Sequence, residues 1–183
     1  ERGGDGRGIV QLTLQINRVM KKIVIVLAFA VAAVSAAAQT QPEVSSKRFA
    51  DAVSHWNKEH GKQTYERYMP DQFRGIADNI VAYQNADGGW PKNLDMMAKL
   101  DPDSVKASLK PRHRLSTLDN ANVYTQVEYL SNVFLLTGDS VYCRSARRGM
   151  EYMLATQYPN GGWRGWDADA VTFNDGIICG VLS

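Results

Sequence analysis

Hydrophobic residues in this chain recur mainly at helical spacing. Phe73, Ile76, Ala77, Ile80 and Val81 fall on one face of a helix predicted to end near Gln84. Ala146, Met150, Met153 and Leu154 predict another, ending near Gln157. Between them Val123, Val127, Leu130 and Phe134 line a third. It is predicted to stop at Thr137-Gly138-Asp139, where glycine takes the left-handed position and aspartate caps the next helix. Residues 47–60 give a shorter, weaker helical pattern, and 94–114 read as mixed, with Pro102 and Pro111 marking loops. No segment alternates at period two for long enough to predict a strand.

The first two helices each run into a similar stretch. Tyr83–Lys92 reads YQNADGGWPK, and 73 residues later Thr156–Gly165 reads TQYPNGGWRG. Aligning Gln84 with Gln157 also superposes Ala77 on Met150, Ile80 on Met153 and Val81 on Leu154, so the helix repeats together with its turn. A repeat of about seventy residues is longer than those of common helical arrays. It predicts an all-α fold, an α/α toroid of helical hairpins joined by Gly-Gly-Trp turns. The paired glycines allow a sharp turn and a close backbone approach. Tryptophan then folds back over the helix end, and the glutamine amide serves its loose carbonyls or the indole N–H. This structural role competes with one in which Trp90 or Trp163, Lys92 or Arg164 lines a sugar-binding cleft.

Charge adds little until the N-terminus is set apart. From Met20 the chain reads MKKIVIVLAFAVAAVSAAAQ, with the lysines, short apolar run and small residues of a secretory signal peptide over 20–38. Residues 1–19 read as translated upstream leader and 39–183 as the mature part, secreted or periplasmic. The whole chain holds 21 basic and 19 acidic residues; five basic and two acidic ones lie in 1–38, leaving 16 against 17. That balance gives no support to a nucleic-acid partner, and the mature form is expected off the membrane. Cys143 and Cys179 sit in apolar helical surroundings and read as two buried free thiols rather than a disulfide. His55, His60 and His113 are too scattered in sequence for a zinc site.

Candidate chemistry lies in two short stretches. Ser116 stands three residues before Asp119, and Thr172 three before Asp175. Both read as capping boxes opening helices, or as carboxylates brought to one cleft where a hard cation such as calcium takes oxygen ligands. Asn122, Gln126 and Tyr129 share a polar, uncharged helix face, suited to a sugar wall or to solvent. Arg112 and Arg114, just ahead of Asp119, are candidates for gripping a carboxylate in a bidentate fork.

Taken in order, YQNADGGWPKN, TLDNANVYTQVEYL, TGDSVYCRSARRGMEYMLATQYPNGGW and TFNDG resemble the pectate lyases of polysaccharide lyase family 10 over roughly Phe73–Leu182. The resemblance implies an α/α-toroid enzyme that cleaves polygalacturonate, the backbone of pectin, by calcium-dependent β-elimination. A calcium ion bridges enzyme and substrate carboxylate, an arginine takes the C5 proton and the 4-oxygen leaves. It places Asp119 and Asp175 at the calcium and matches Lys92 to a lysine that contacts a galacturonate carboxylate; Arg112, Arg114, Asn120 and Arg164 stand beside these as further substrate-binding candidates. The family's catalytic arginine is expected beyond Ser183, and the segment WRGWDADAVT is shorter than its counterpart in the family. This chain therefore reads as an inactive N-terminal part of the catalytic domain. The alternatives are a non-catalytic carbohydrate-binding or scaffold chain and an isoprenoid-cyclase-like toroid. The latter shares a Q-x-x-x-G-x-W repeat, but neither DDxxD nor DxDD occurs here.

Overall fold

Six α-helices account for the regular structure of the described residues, 43–61, 65–166, 169–173 and 177–182 of a computed structural model. They are α1 (Ala50–His60), α2 (Phe73–Tyr83), α3 (Pro102–Ser108), α4 (Tyr124–Thr137), α5 (Ser140–Ala155) and α6 (Ile177–Leu182). Short 3-10 turns cover Lys47–Phe49 and Pro111–Arg114. The described β structure consists of three isolated bridges, Arg67 with Ala98, Pro91 with Ser116 and Arg164 with Val171. The protein is all-α, as its periodicity predicts. Among the described residues no helix is long and apolar enough to cross a membrane. The leader and signal-peptide segments lie outside the described residues.

The antiparallel hairpin of α4 and α5 is the centre of the fold; α2 packs on both helices, α3 on α2 and α6 on α4. Its turn forms as predicted: Gly138 is left-handed at φ 69°, its N–H bonds the Phe134 carbonyl at 2.7 Å, and the Asp139 carboxylate accepts the Val141 N–H at 2.9 Å. Small residues set the contact face of α5. Ser145, Ala146 and Gly149 are buried there with Tyr142. A Cβ at Gly149 would stand 2.5 Å from Val127 Cγ2 and 2.8 Å from Trp90 Cζ3, so glycine lets helix and indole meet. This corrects the stripe read from sequence, since Met150 and Leu154 are exposed at 45% and 70%.

Three further expectations change. The prolines do not mark loops: Pro102 and Pro111 each open a helical turn, where proline's missing N–H costs nothing. The polar face of α4 is buried rather than solvated. Gln126 and Tyr129 are each 3% exposed, because α4 is covered on both sides, with Phe49 against Tyr129 at 5.3 Å between ring centroids. Cys143 and Cys179 are free but exposed, lying on the outer sides of their helices.

The repeated turns superpose bond for bond. Gln84 Nε2 donates to the Gly88 carbonyl at 2.8 Å, and Gln157 Nε2 to that of Gly161 at 2.9 Å. Trp90 Nε1 donates to the Ile80 carbonyl at 2.6 Å, and Trp163 Nε1 to that of Met153 at 2.7 Å. Gly88 and Gly161 are left-handed at φ 93° and 84°. At Gly88 a Cβ would also meet the Arg148 carbonyl oxygen at 2.4 Å. Both tryptophans are thus staples that satisfy a carbonyl near the end of the preceding helix, and both are buried.

Candidate functional site

After each Gly-Gly-Trp turn the chain forms a bridge to a later segment. Thr117 N–H donates to the Trp90 carbonyl at 3.3 Å, and Thr172 N–H to the Trp163 carbonyl at 2.9 Å. These bonds pair Thr117 with Thr172, one residue off the Ser116–Thr172 register taken from sequence. By count along the chain, Asp119 then corresponds to Asn174 and Asn120 to Asp175. The second acid, Asp175, lies outside the described residues.

Asp119 does not open a helix, because α4 begins only at Tyr124. It stands before a strained turn in which Asn120, Ala121 and Val123 all have positive φ, at 55°, 56° and 69°. At Val123, ψ is −62° and the Tyr124 N–H bonds the Asn122 carbonyl at 3.0 Å, a γ-turn of the rare strained form. This compact turn leaves Asp119 only 6% exposed and directs it to Lys92, with which it forms an ion pair. Asn120 is tied alongside: its Nδ2 donates to Asn93 Oδ1 at 2.8 Å, and Asn93 too is left-handed at φ 63°.

Trp166 joins this pair to the arginines, and sequence reasoning did not assign it a role. Lys92 Nζ lies 4.5 Å from the centre of its indole and Arg112 Cζ 4.8 Å, both within cation–π range. Arg112 Nη2 also donates to the Trp166 carbonyl at 3.4 Å. Beside Trp166 opens a cleft of about 390 Å³, whose wall includes Arg112, Arg164, Tyr152, Thr117, Ser116 and Asp87. Arg164 pairs with exposed Asp169 at 3.4 Å. Burial pushes the Tyr152 phenol up to about 12, so it stays protonated over the working range of proteins. The only sequence hint of Trp166 was a second tryptophan three residues after a staple, a spacing without periodic meaning.

Arg114 has a different task. Its Nε donates to the Leu109 carbonyl at 2.9 Å and its Nη2 to that of Ala107 at 2.7 Å, so its guanidinium fastens the end of α3. Lys92, Arg112, Asp119 and Arg164 are therefore brought to one region, Asn120 supports it, and Arg114 is engaged elsewhere.

Calcium takes six to eight oxygen ligands. Beside Lys92 the described residues supply one carboxylate, Asp119, already matched by the ammonium, and among the described residues no three of His, Cys, Asp and Glu converge on one point. These residues alone do not make a calcium cage; Asp119 would need oxygens from Asp175, water and substrate to complete one.

The fold and this region define a class: an all-α protein with a cation-lined surface cleft beside a tryptophan. The sequence model of the pectic acid lyase family matches residues 84–183, more than half of the chain, and the chain belongs to that family. Among solved structures it is similar to a family 10 polysaccharide lyase from Cellvibrio cellulosa, at 22% identity and a TM-score of 0.46, covering 78% of this chain and 41% of that one. An aspartate-to-alanine mutant of the family 10 lyase from the same organism, in complex with trigalacturonic acid, matches at 22% identity and a TM-score of 0.45, over 72% of this chain and 38% of that one. The chain thus spans about two fifths of the length of these lyases. No curated protein matches it.

Proposed function

We propose that this chain carries the substrate-binding side of a pectate lyase site, exported and acting on polygalacturonate by calcium-dependent β-elimination on an α/α toroid. The observation that carries this reading is the packing of Lys92 and Arg112 against the Trp166 ring, beside a cleft lined by Arg112, Arg164 and Trp166. Polygalacturonate presents one carboxylate per sugar, and a planar guanidinium group donates two parallel hydrogen bonds to such a carboxylate. Tyr152, held as a neutral phenol, and the Thr117 and Ser116 hydroxyls suit the sugar's own hydroxyls.

Asp119 and, by family resemblance, Asp175 would be the side chains to hold calcium, whose positive charge, when bound, would offset the charge that develops on the uronate carboxylate as the C5 proton leaves. Lys92 holds one positive charge at Asp119 and is placed to share it with an arriving carboxylate. The elimination itself removes the C5 proton, forms the C4–C5 double bond and breaks the bond from C4 to its oxygen. The base assigned by family resemblance is an arginine without a counterpart in residues 1–183. The 183-residue chain alone is therefore proposed to bind oligogalacturonate without cleaving it. Membership of the pectic acid lyase family favours this reading over a cyclase-like toroid.

The test is trigalacturonate binding at low salt, followed by tryptophan fluorescence with calcium and then with chelator, alongside the ultraviolet absorbance of unsaturated product. Calcium-strengthened binding without product is expected. Absence of binding under all conditions would refute the binding assignment. Calcium-dependent product would refute the inactivity of this chain, and binding indifferent to chelator would remove calcium and leave a carbohydrate-binding role.

A further inference from the structure

The two repeats differ at one buried residue beside the ion pair. Asn122 is 4% exposed, and its Nδ2 donates to the Trp90 carbonyl and the Thr117 carbonyl, each at 2.7 Å. Its Oδ1 accepts from Gln126 Nε2, also at 2.7 Å. Trp90 and Thr117 each stand two residues before a member of the Lys92–Asp119 pair. One amide group thus fastens both strands of chain that carry the charges.

The second repeat supplies an internal control. It keeps the glutamine, the glycines, the tryptophan staple and the bridge from Thr172 to Trp163. By count along the chain, however, Lys92, Asp119 and Asn122 become Gly165, Asn174 and Ile177. Ile177 is fully buried and apolar, with no group able to bridge two carbonyls. The turn and bridge therefore form without the amide clamp. The clamp occurs where the charged pair occurs, and it is accompanied there by the strained backbone at Asn120, Ala121 and Val123.

We propose that Asn122 is a positioning residue, which fixes the spacing of the Lys92 ammonium and the Asp119 carboxylate for a uronate substrate through the Trp90 and Thr117 carbonyls. The proposal rests on the binding reading above. In Asn122→Leu the two carbonyls lose their shared donor, and the Lys92 and Asp119 segments keep only the longer Thr117–Trp90 bridge, the Asn120–Asn93 bond and the ion pair itself. In Asn122→Asp a carboxylate faces two carbonyls. Such a group, desolvated, with the Gln126 amide as a donor on one oxygen and two carbonyls facing the other, favours its protonated form, which restores one of the two bonds by donating its own O–H.

The experiment measures trigalacturonate binding to the full 183-residue chain and its variants, with near-ultraviolet circular dichroism and thermal melts as controls for folding. N122L is expected to melt cooperatively and to bind roughly tenfold more weakly, the loss typical of removing a buried hydrogen-bond donor. Adding Lys92→Met to N122L is expected to weaken binding less than it does in the wild-type chain, since the lysine is no longer held in place. N122D is expected to bind weakly at neutral pH and to recover below about pH 6, where a buried carboxyl of this kind regains its proton. Wild-type binding by N122L with an unchanged Lys92→Met effect would overturn the proposal. So would loss of the cooperative melt in both N122L and N122D, which would assign Asn122 to the fold alone. Failure of the wild-type chain to bind trigalacturonate would instead overturn the binding reading, and the positioning role with it.

Discussion

Replacing Lys92 by methionine isolates the energetic logic of the site. The Lys92 side chain is 16% exposed and that of Asp119 8%, so the pair is largely withdrawn from water. Removing one partner of a fully buried pair typically costs about 3–5 kcal/mol, because the remaining charge keeps its desolvation penalty and loses its compensation. Lys92 retains some solvent contact, and methionine preserves packing of the aliphatic stem, so a cost of roughly 2–4 kcal/mol is expected for K92M. With a urea slope of about 2 kcal/mol/M, the middle of the range for small domains, the unfolding midpoint should fall by roughly 1–2 M. Removing the second charge as well, in K92M/D119N, should return stability to within about 1 kcal/mol of wild type, since a buried pair is close to neutral against uncharged replacements. Arg147→Ala provides the contrast. Its pair with Glu151 is 75% and 56% exposed, and its loss should shift stability by less than about 0.5 kcal/mol. Urea titration followed by far-ultraviolet circular dichroism measures all four chains. A K92M midpoint equal to wild type, or a double variant no more stable than K92M, would refute the claim that Lys92 compensates a buried Asp119.

Other consequences are equally direct. Gly149→Ala forces a methyl group into Val127 and the Trp90 ring and should cost about 1–3 kcal/mol, measured by the same titration. Arg114→Ala should lower thermal stability by loosening the end of α3 while leaving trigalacturonate affinity within about twofold, whereas Arg112→Ala should weaken binding by roughly tenfold. In alkali, burial pushes Tyr83, Tyr142 and Tyr152 up to about 12, while the unfolded chain releases these protons near pH 10. The stability they confer is present below pH 10 and lost as pH rises towards 12, by roughly 2–3 kcal/mol for each phenol. Stopped-flow absorbance of phenolate should show Tyr83 and Tyr142 ionising only with unfolding; rapid ionisation of these two in the folded chain would contradict their burial.

Much of the fold follows from sequence because its causes are local. Helical periodicity placed α2, α4 and α5 to within a few residues, and Gly138 with Asp139 marked the hairpin because left-handed glycine and side-chain capping act within one turn. The doubled Gln-Gly-Gly-Trp stretch likewise revealed a staple whose bonds span no more than about ten residues. The site needed the tertiary structure, because it joins segments that only packing brings together. Lys92 meets Asp119 across 27 residues, Arg112 reaches Trp166 across 54, and neither separation has a periodic signature. The same dependence on packing turned the polar face of α4 inward and gave Arg114 to a helix end. It also moved the internal register by one residue, since the carbonyls of Trp90 and Trp163 choose their partners by geometry, where sequence could match only residue types.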